Sequence, residues 1–141
     1  RNLCRYFLAN GIKVYLFEDL RPTPEVSFAI RHLGCQSGIN LTASHNPKEY
    51  NGYKAYWDDG AQVLAPHDTA IIDEVNKVTV EDIKFKGNKD LIQIIGEDVD
   101  KVYLDKVHTL SIDPEVIKRQ KDSASFILRF TARAERSFPL L

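Results

Sequence analysis

Apolar residues along the first 43 positions alternate between helical and extended spacing. Short turns rich in Gly, Pro, Asn and Asp separate these segments, which is typical of compact α/β proteins. The pattern predicts a helix within residues 2–9, a strand over 12–17, a helix from Pro24 or Glu25 to His32 or Leu33, and a strand over 38–43. Helix, strand, helix and strand with short connections favour a largely parallel sheet covered by helices.

The pattern changes after residue 50. An aromatic segment over 53–57, a turn at Asp59-Gly60 and an apolar segment over 61–64 predict a β-hairpin. A helix is expected from His67, with Ile71, Ile72 and Val75 on one side. Further elements are then predicted: strands over 79–85 and 88–95, a helix over 98–109, and a helix beginning at Asp113-Pro114.

Composition narrows the class of protein. The chain has 141 residues, 43% of them hydrophobic, and a formal net charge of −1, which suits one folded domain of ordinary size. The near-neutral charge removes the electrostatic argument for a nucleic-acid or membrane partner, and no apolar run reaches the ~18 residues of a membrane span. The two cysteines predict reduced thiols in a cytoplasmic protein. Because the chain starts at Arg1 and contains no Met, we expect its natural N-terminus to lie upstream.

The polar segment from Thr42 to Pro47 carries the strongest chemical signal. It follows a predicted strand, and ligands of parallel α/β sheets collect at the carboxyl ends of strands. The Ser44 hydroxyl could act as a nucleophile or carry a phosphate, whose charge of ~−1.5 to −2 needs a cation and hydrogen-bond donors. His45 and Asn46 are adjacent, and Lys54 lies ten residues further on.

Two simpler interpretations of this segment stay open. Ser, Asn and Pro are common turn residues, so the segment could be an ordinary loop. Lys54, between tyrosines in a predicted strand, could simply face solvent.

The stretch TASHNPKEYNGYK, residues 42–54, resembles the phosphoserine loop of the α-D-phosphohexomutase family, which contains the phosphoglucomutases and phosphomannomutases. Pro22-Thr23-Pro24, one helix upstream, also falls where that family has it. The continuation YKAYWDDGAQVLAPHD resembles the long bacterial phosphoglucomutase branch and favours glucose phosphate as substrate. The resemblance covers roughly residues 1–122.

The resemblance implies roles for four residues. Ser44 would be the phosphoserine that donates its phosphoryl group to a sugar phosphate, with Mg²⁺ bridging that phosphate and a hexose 1,6-bisphosphate as intermediate and activator. His45, Asn46 and Lys54 would line the site, with Lys54 as general acid/base or phosphate clamp. The reaction would interconvert hexose 1-phosphate and hexose 6-phosphate. Phosphomannomutase, phosphopentomutase and a non-catalytic phosphate- or partner-binding module remain the alternatives.

The resemblance also implies a division of the chain. Residues 1–94 correspond to the later part of the family's first domain, and residues 95–122 to a linker and the helical start of a second α/β domain. The chain lacks an Asp-Gly-Asp magnesium loop, the Gly-Glu sugar-binding loop and the distal phosphate-binding domain. We therefore expect the bare polypeptide to be inactive. The sequence leaves the oligomeric state open.

Residues 123–141 differ from the rest of the chain in composition. They include three arginines and one glutamate but no Lys, Asp or Gly. A family-like peptide VYTPIHGTGGTLIP, encoded and then read one base out of frame, gives FILRFTARAERSFP, which is the sequence of residues 126–139. We therefore predict that the tail is a frame-shifted translation with no functional role, which sequencing of the gene would test.

Overall fold

A computed structural model describes residues 3–44 and 46–119. The predictions for His45 and for residues 123–141 therefore lie outside the described residues. Within the described ranges the helices and strands are α1 (Cys4–Ala9), β1 (Val14–Phe17), α2 (Thr23–His32), β2 (Ser37–Thr42), β3 (Gly52–Trp57), α3 (His67–Val75), β4 (Ile92–Ile95), α4 (Glu97–His108) and α5 (Val116–Arg119).

The parallel part of the fold joins β1 to β4, with a register that runs from the Val14–Ile92 pair to the Phe17–Ile95 pair. Two parallel strands need a long crossover connection, and here α2, the β2–β3 pair and α3 lie between them in the chain. The predicted α/β class is confirmed.

The buried core lies where α2 and α4 meet this parallel pair. Its centre consists of Ala29, Ile95 and Val99, and Val99 is only 1% exposed. Partly buried apolar side chains from β1 and the end of α2 pack against it, namely Tyr15, Phe17 and Leu33.

The second strand pair is antiparallel and joins β2 to β3, from the Ser37–Trp57 pair to the Thr42–Gly52 pair. The predicted hairpin between 53–57 and 61–64 is confirmed as a short one. An antiparallel bridge joins Tyr56 to Gln62, and the N–H groups of Trp57 and Val63 donate to the carbonyl oxygens of Ala61 and Ala55, each over 2.9 Å. β3 also pairs with β2, over six positions, which the sequence pattern did not predict. This longer ladder satisfies more of the backbone hydrogen-bonding groups of β3 than the short hairpin does.

Helix α2 packs closely on one face of β2. A Cβ atom at Gly38 would lie 2.2 Å from Cδ1 of Ile30, so this approach requires glycine. The same helix holds the turn that follows β3, because Ser27 Oγ donates to the Gly60 carbonyl oxygen over 2.7 Å.

The predicted strand over 79–85 is also wrong. Thr79 and Asp82 form a capping box: the Thr79 N–H and hydroxyl both donate to Asp82 Oδ2, over 2.9 and 2.8 Å. This local pairing stabilises a single 3₁₀ turn, Val80–Asp82, in place of an extended segment. The strand predicted over 88–95 is shorter than expected, because Lys89–Leu91 forms another 3₁₀ turn before β4.

The helix predicted from His67 is confirmed as α3, but none of its residues is buried. Ile71, Ile72 and Val75 lie on it as predicted and are at least 41% exposed. Among the described residues, no helix combines the length and the apolar character that crossing a membrane requires.

An ion pair ties the start of α2 to α4. Arg21 donates through Nε and Nη2 to the two carboxylate oxygens of Asp100, over 2.6 and 2.7 Å.

Glu25, in the first turn of α2, is 2% exposed and lies beside this pair, with its Oε1 4.0 Å from Arg21 Nε. Burial, a hydrogen bond to Asp100 and the charge of Asp100 together raise the pKa of Glu25 to about 7, against the opposing effect of the Arg21 charge. Glu25 is therefore largely protonated in the folded protein below neutral pH.

Glu25 should make the fold less stable as pH rises. Its pKa lies near its ordinary value of 4.5 in the unfolded chain and at about 7 in the fold. Between these values the folded state binds more protons, so the free energy of unfolding falls with rising pH. We expect E25Q to flatten this dependence between pH 5 and 7 in urea unfolding. The exposed-residue control, E74Q, should keep the wild-type slope, and an unchanged slope in E25Q would contradict the assignment.

Candidate functional site

The loop over residues 43–51 connects the ends of β2 and β3. Thr42 and Gly52 form the last strand pair, so the loop leaves and re-enters the pair at adjacent positions. The Asn46 N–H donates to the Ala43 carbonyl oxygen over 3.0 Å and closes a turn around Ser44. Ser44 and Asn46 are both exposed, at the carboxyl end of β2.

Ser44 adopts a left-handed backbone conformation with φ 56°. This conformation costs roughly 1–2 kcal/mol for a residue other than glycine. The Ser44 N–H donates to Thr42 Oγ1 over 2.9 Å, which offsets part of this cost. Thr42 therefore helps to hold Ser44 in the turn.

Lys54 lies in β3, directly opposite Asn40 of β2. Side chains alternate between the two faces of a strand, so Lys54 shares a face with Asn40 and with Thr42, which stands opposite Gly52. The Cβ atoms of diagonal neighbours such as Thr42 and Lys54 are roughly 7–8 Å apart, within reach of a long side chain. Lys54 is half-buried and makes no ion pair with any other described residue.

Helix α2 reaches this same face at its first residue. Asn40 Nδ2 donates to Thr23 Oγ1 over 2.8 Å, while Ile30, two turns later in α2, covers Gly38 at the start of β2. The helix therefore runs antiparallel to β2, and its N-terminal end lies toward the Ser44 loop. Such an end carries partial positive charge and favours an anion nearby.

The sequence reasoning did not single out Asn40. A signal was present, because Asn is disfavoured in strands and Asn40 interrupts the apolar sequence Ile39–Leu41. The partner of Asn40 lies 17 residues away, however, and the spacing of residues does not reveal it.

Three of the four residues proposed from sequence, Ser44, Asn46 and Lys54, lie in the β2–β3 strand pair or in the loop that connects it. His45, the fourth, lies outside the described residues. Across residues 3–44 and 46–119, His, Cys, Asp and Glu side chains nowhere gather in threes that could hold a metal ion. The described site thus offers a hydroxyl, an amide and an ammonium group at one end of a hairpin.

Comparison with known proteins bears on these residues. Residues 1–82 match the family model described as phosphoglucomutase/phosphomannomutase, alpha/beta/alpha domain I. The chain is 58% identical over 65 residues to a human phosphopentomutase, which is 46% of this chain and 11% of that protein. It is 52% identical over 65 residues to the mouse glucose 1,6-bisphosphate synthase, again 46% of this chain and 10% of that protein. A phosphoglucomutase of Staphylococcus epidermidis is 54% identical over 55 residues, 39% of this chain and 10% of that protein. The matched region spans about a tenth of the length of these relatives.

The bond from Ser44 to Thr42 gives a direct test of the loop geometry. T42V removes the acceptor oxygen at almost constant volume, whereas T42S keeps it. We expect the Ser44 amide hydrogen to exchange with solvent about fivefold faster in T42V, as loss of ~1 kcal/mol implies. The measurement is amide exchange by NMR. Equal exchange in T42V and T42S would show that Thr42 does not hold the turn.

Proposed function

Because the chain belongs to the phosphoglucomutase/phosphomannomutase family, we propose that it is a segment of a phosphosugar mutase in which Ser44 carries the transferred phosphoryl group. The observation that carries this proposal is the position of Ser44 in the β2–β3 hairpin. Its hydroxyl is exposed in a turn at the carboxyl end of β2, and Lys54 shares a face of the hairpin with the Thr42 side chain that holds this turn.

The electrostatics of the hairpin support a phosphate at this position. Lys54 has no carboxylate partner among the described residues, so its charge is available to an anion. Arg21 differs, because its guanidinium is engaged by Asp100. The positive end of α2 points toward the same loop and adds to the attraction.

The proposed transfer starts from phosphorylated Ser44. A hydroxyl oxygen of the sugar phosphate attacks the phosphorus, a new oxygen–phosphorus bond forms, and the bond to Ser44 Oγ breaks. The sugar hydroxyl loses one proton and Ser44 Oγ gains one. Lys54 is proposed to accept and return that proton or, as an ammonium, to bind the phosphate oxygens. The reverse transfer, from the other phosphate of the resulting bisphosphate, restores phosphoserine and releases the isomeric product.

The family resemblance also brings Mg²⁺ and a hexose 1,6-bisphosphate into the proposal. The donor set of the described residues fits only part of a magnesium site, because it includes no cluster of carboxylates. A phosphate on Ser44 would be the ligand that this segment supplies, and the ion would offset charge during transfer. The roles proposed for Ser44, Asn46 and Lys54 do not depend on it.

For the sugar, we propose glucose phosphate, on the resemblance of residues 53–68 to the bacterial phosphoglucomutase branch. A pentose phosphate is the second candidate, because a phosphopentomutase and a phosphoglucomutase match this chain at similar identity. Assays of a full-length protein carrying this segment with glucose 1-phosphate, mannose 1-phosphate and ribose 1-phosphate would distinguish these sugars by their kcat/KM.

The remaining parts of the chain are assigned by the same proposal. Residues 1–94 belong to the phosphoserine domain, residues 95–122 lead into the next domain, and residues 123–141 are a frame-shifted tail. Cys4 and Cys35 are unpaired thiols, in keeping with action in the cytoplasm.

We expect S44A to abolish mutase turnover in a full-length protein carrying this segment, because the substitution removes the hydroxyl that is proposed to accept and return the phosphoryl group. Mass spectrometry should find about one phosphate on Ser44 of the wild-type protein and none in S44A. The control S111A, at an exposed serine, should retain both activity and phosphate. Phosphate on Ser111 or Thr109 in place of Ser44 would refute the proposal.

K54M should lower kcat by ~10²-fold or more, since that is the usual contribution of a positioned proton-transfer group. The Met side chain keeps the length and apolar character of the lysine stem, so the fold should be retained. K77M removes a lysine that pairs with Glu74 on the surface, and it should leave kcat unchanged. Wild-type kinetics in K54M would show that Lys54 serves only as a solvent-facing residue.

A further inference from the structure

We infer that Thr42 is a catalytic residue of this site: its hydroxyl oxygen holds the Ser44 turn, and its hydroxyl hydrogen is donated to the phosphoryl group that Ser44 carries. The inference rests on the proposed function, in which this phosphoryl group moves between Ser44 and the sugar. It gives Thr42 a second task, in direct contact with the reacting group, beyond its support of the turn.

The hydrogen-bonding capacity of Thr42 is only partly used in the described structure. Its Oγ1 accepts from the Ser44 N–H over 2.9 Å, an arrangement that Thr side chains form with nearby backbone groups. A hydroxyl also has one hydrogen to donate, and Thr42 donates it to no other described residue. Thr79 and Thr109 differ, because their hydroxyls donate to a carboxylate and to a backbone carbonyl oxygen. Thr42 therefore retains a donor for a ligand.

The bond to the Ser44 N–H fixes where this donor lies. The oxygens of the Thr42 and Ser44 hydroxyls are separated by that 2.9 Å bond and the three covalent bonds from the Ser44 nitrogen to its Oγ. A phosphoryl group on Ser44 adds three acceptor oxygens close to this Oγ. The Thr42 hydrogen reaches the nearest of them by rotation about the Cβ–Oγ1 bond, with the turn left in place.

The two hydrogen bonds of Thr42 strengthen each other. A hydroxyl that accepts a hydrogen bond is a better donor, because each bond in a chain polarises the next. The Ser44 N–H therefore acts on the phosphoryl group through Thr42. During transfer, charge spreads over the equatorial phosphoryl oxygens, where a preorganised donor lowers the barrier. Thr42 supplies a neutral, directional donor on the face where Lys54 supplies a charge.

The residue type at position 42 favours this second task. Asp and Asn accept from backbone N–H groups in turns more strongly than Ser and Thr do, so they would better serve a role limited to the turn. An ionised Asp, however, has no hydrogen to donate and repels a phosphate. Thr combines the acceptor that the Ser44 turn uses with the donor that a phosphate needs, on a side chain that suits the end of β2.

The direct test is a crystal structure of a full-length protein that carries this segment, with Ser44 phosphorylated. We expect Thr42 Oγ1 to lie ~2.5–3.0 Å from a phosphate oxygen, the usual range for two oxygens that share a hydrogen. A separation greater than ~3.5 Å overturns the inference. Mass spectrometry of the same protein separates the two failures. Absence of phosphate from wild-type Ser44 refutes the proposed function, whereas phosphate on Ser44 without the Thr42 contact refutes the inference alone.

Kinetics of four variants of that protein test the same donor. T42S keeps the acceptor and the donor, T42N keeps an acceptor without a hydroxyl, and T42V keeps neither. We expect kcat to fall ~10- to 100-fold in T42N and T42V, with KM little changed, because a donor to the transferring group is lost. T42S should recover most of the wild-type rate. The control T69V, at an exposed threonine of α3, should retain the wild-type kcat.

Amide hydrogen exchange over the Ser44 loop distinguishes the donor from the support of the turn. In T42N the exchange rate should stay near that of the wild type, because the turn keeps its acceptor, while kcat falls. A wild-type kcat in T42N, or a kcat that falls only in variants whose Ser44 loop exchanges faster, would assign Thr42 to the turn alone and overturn the inference.

Discussion

Six residue pairs join β2 to β3, from Ser37–Trp57 to Thr42–Gly52, and the remainder of the site depends on that register. The register places Lys54 on the face that carries Thr42, and it closes the Ser44 loop between adjacent strand ends. A slip of one residue would turn Lys54 to the opposite face, because side chains alternate along a strand. The backbone hydrogen bonds of one ladder thus decide which side chains can act together.

Helix α2 makes this register specific. Ile30 fills the space that a side chain at position 38 would occupy, and Thr23 accepts a hydrogen bond from Asn40. Together these contacts orient the helix antiparallel to β2 and hold its positive end toward the loop. The bidentate bond from Arg21 to Asp100 then ties the start of α2 to α4 and hence to the core around Val99. The loop itself is exposed, but the contacts that hold α2 beside it extend through α4 to the most buried residues of the described structure.

The charged side chains near α2 and β3 are of two kinds: those that pair with one another in the fold, and a lysine without such a partner. Arg21 is neutralised by Asp100, and Glu25 is buried beside them with its pKa raised to about 7. Lys54, in contrast, has no carboxylate partner among the described residues, and it shares a face of the strand pair with Thr42, which accepts a hydrogen bond from the Ser44 N–H. A phosphate on Ser44 would thus have Lys54 as a candidate partner, a cation that forms no ion pair within the described residues.

The sequence alone determined the elements whose signals are local. The helix around residues 24–32 and the strand before Ser44 follow from apolar spacing, and the Ser44 loop and Lys54 were identified by a short motif. The strand expected over 79–85 was wrong because a capping box, also local, competed with β-propensity. Only the tertiary structure decided that β3 pairs with β2, that α2 covers this pair, and that Thr23 meets Asn40. These are contacts between segments distant in the chain, chosen by the total burial and backbone pairing of the whole fold, which no short sequence pattern records.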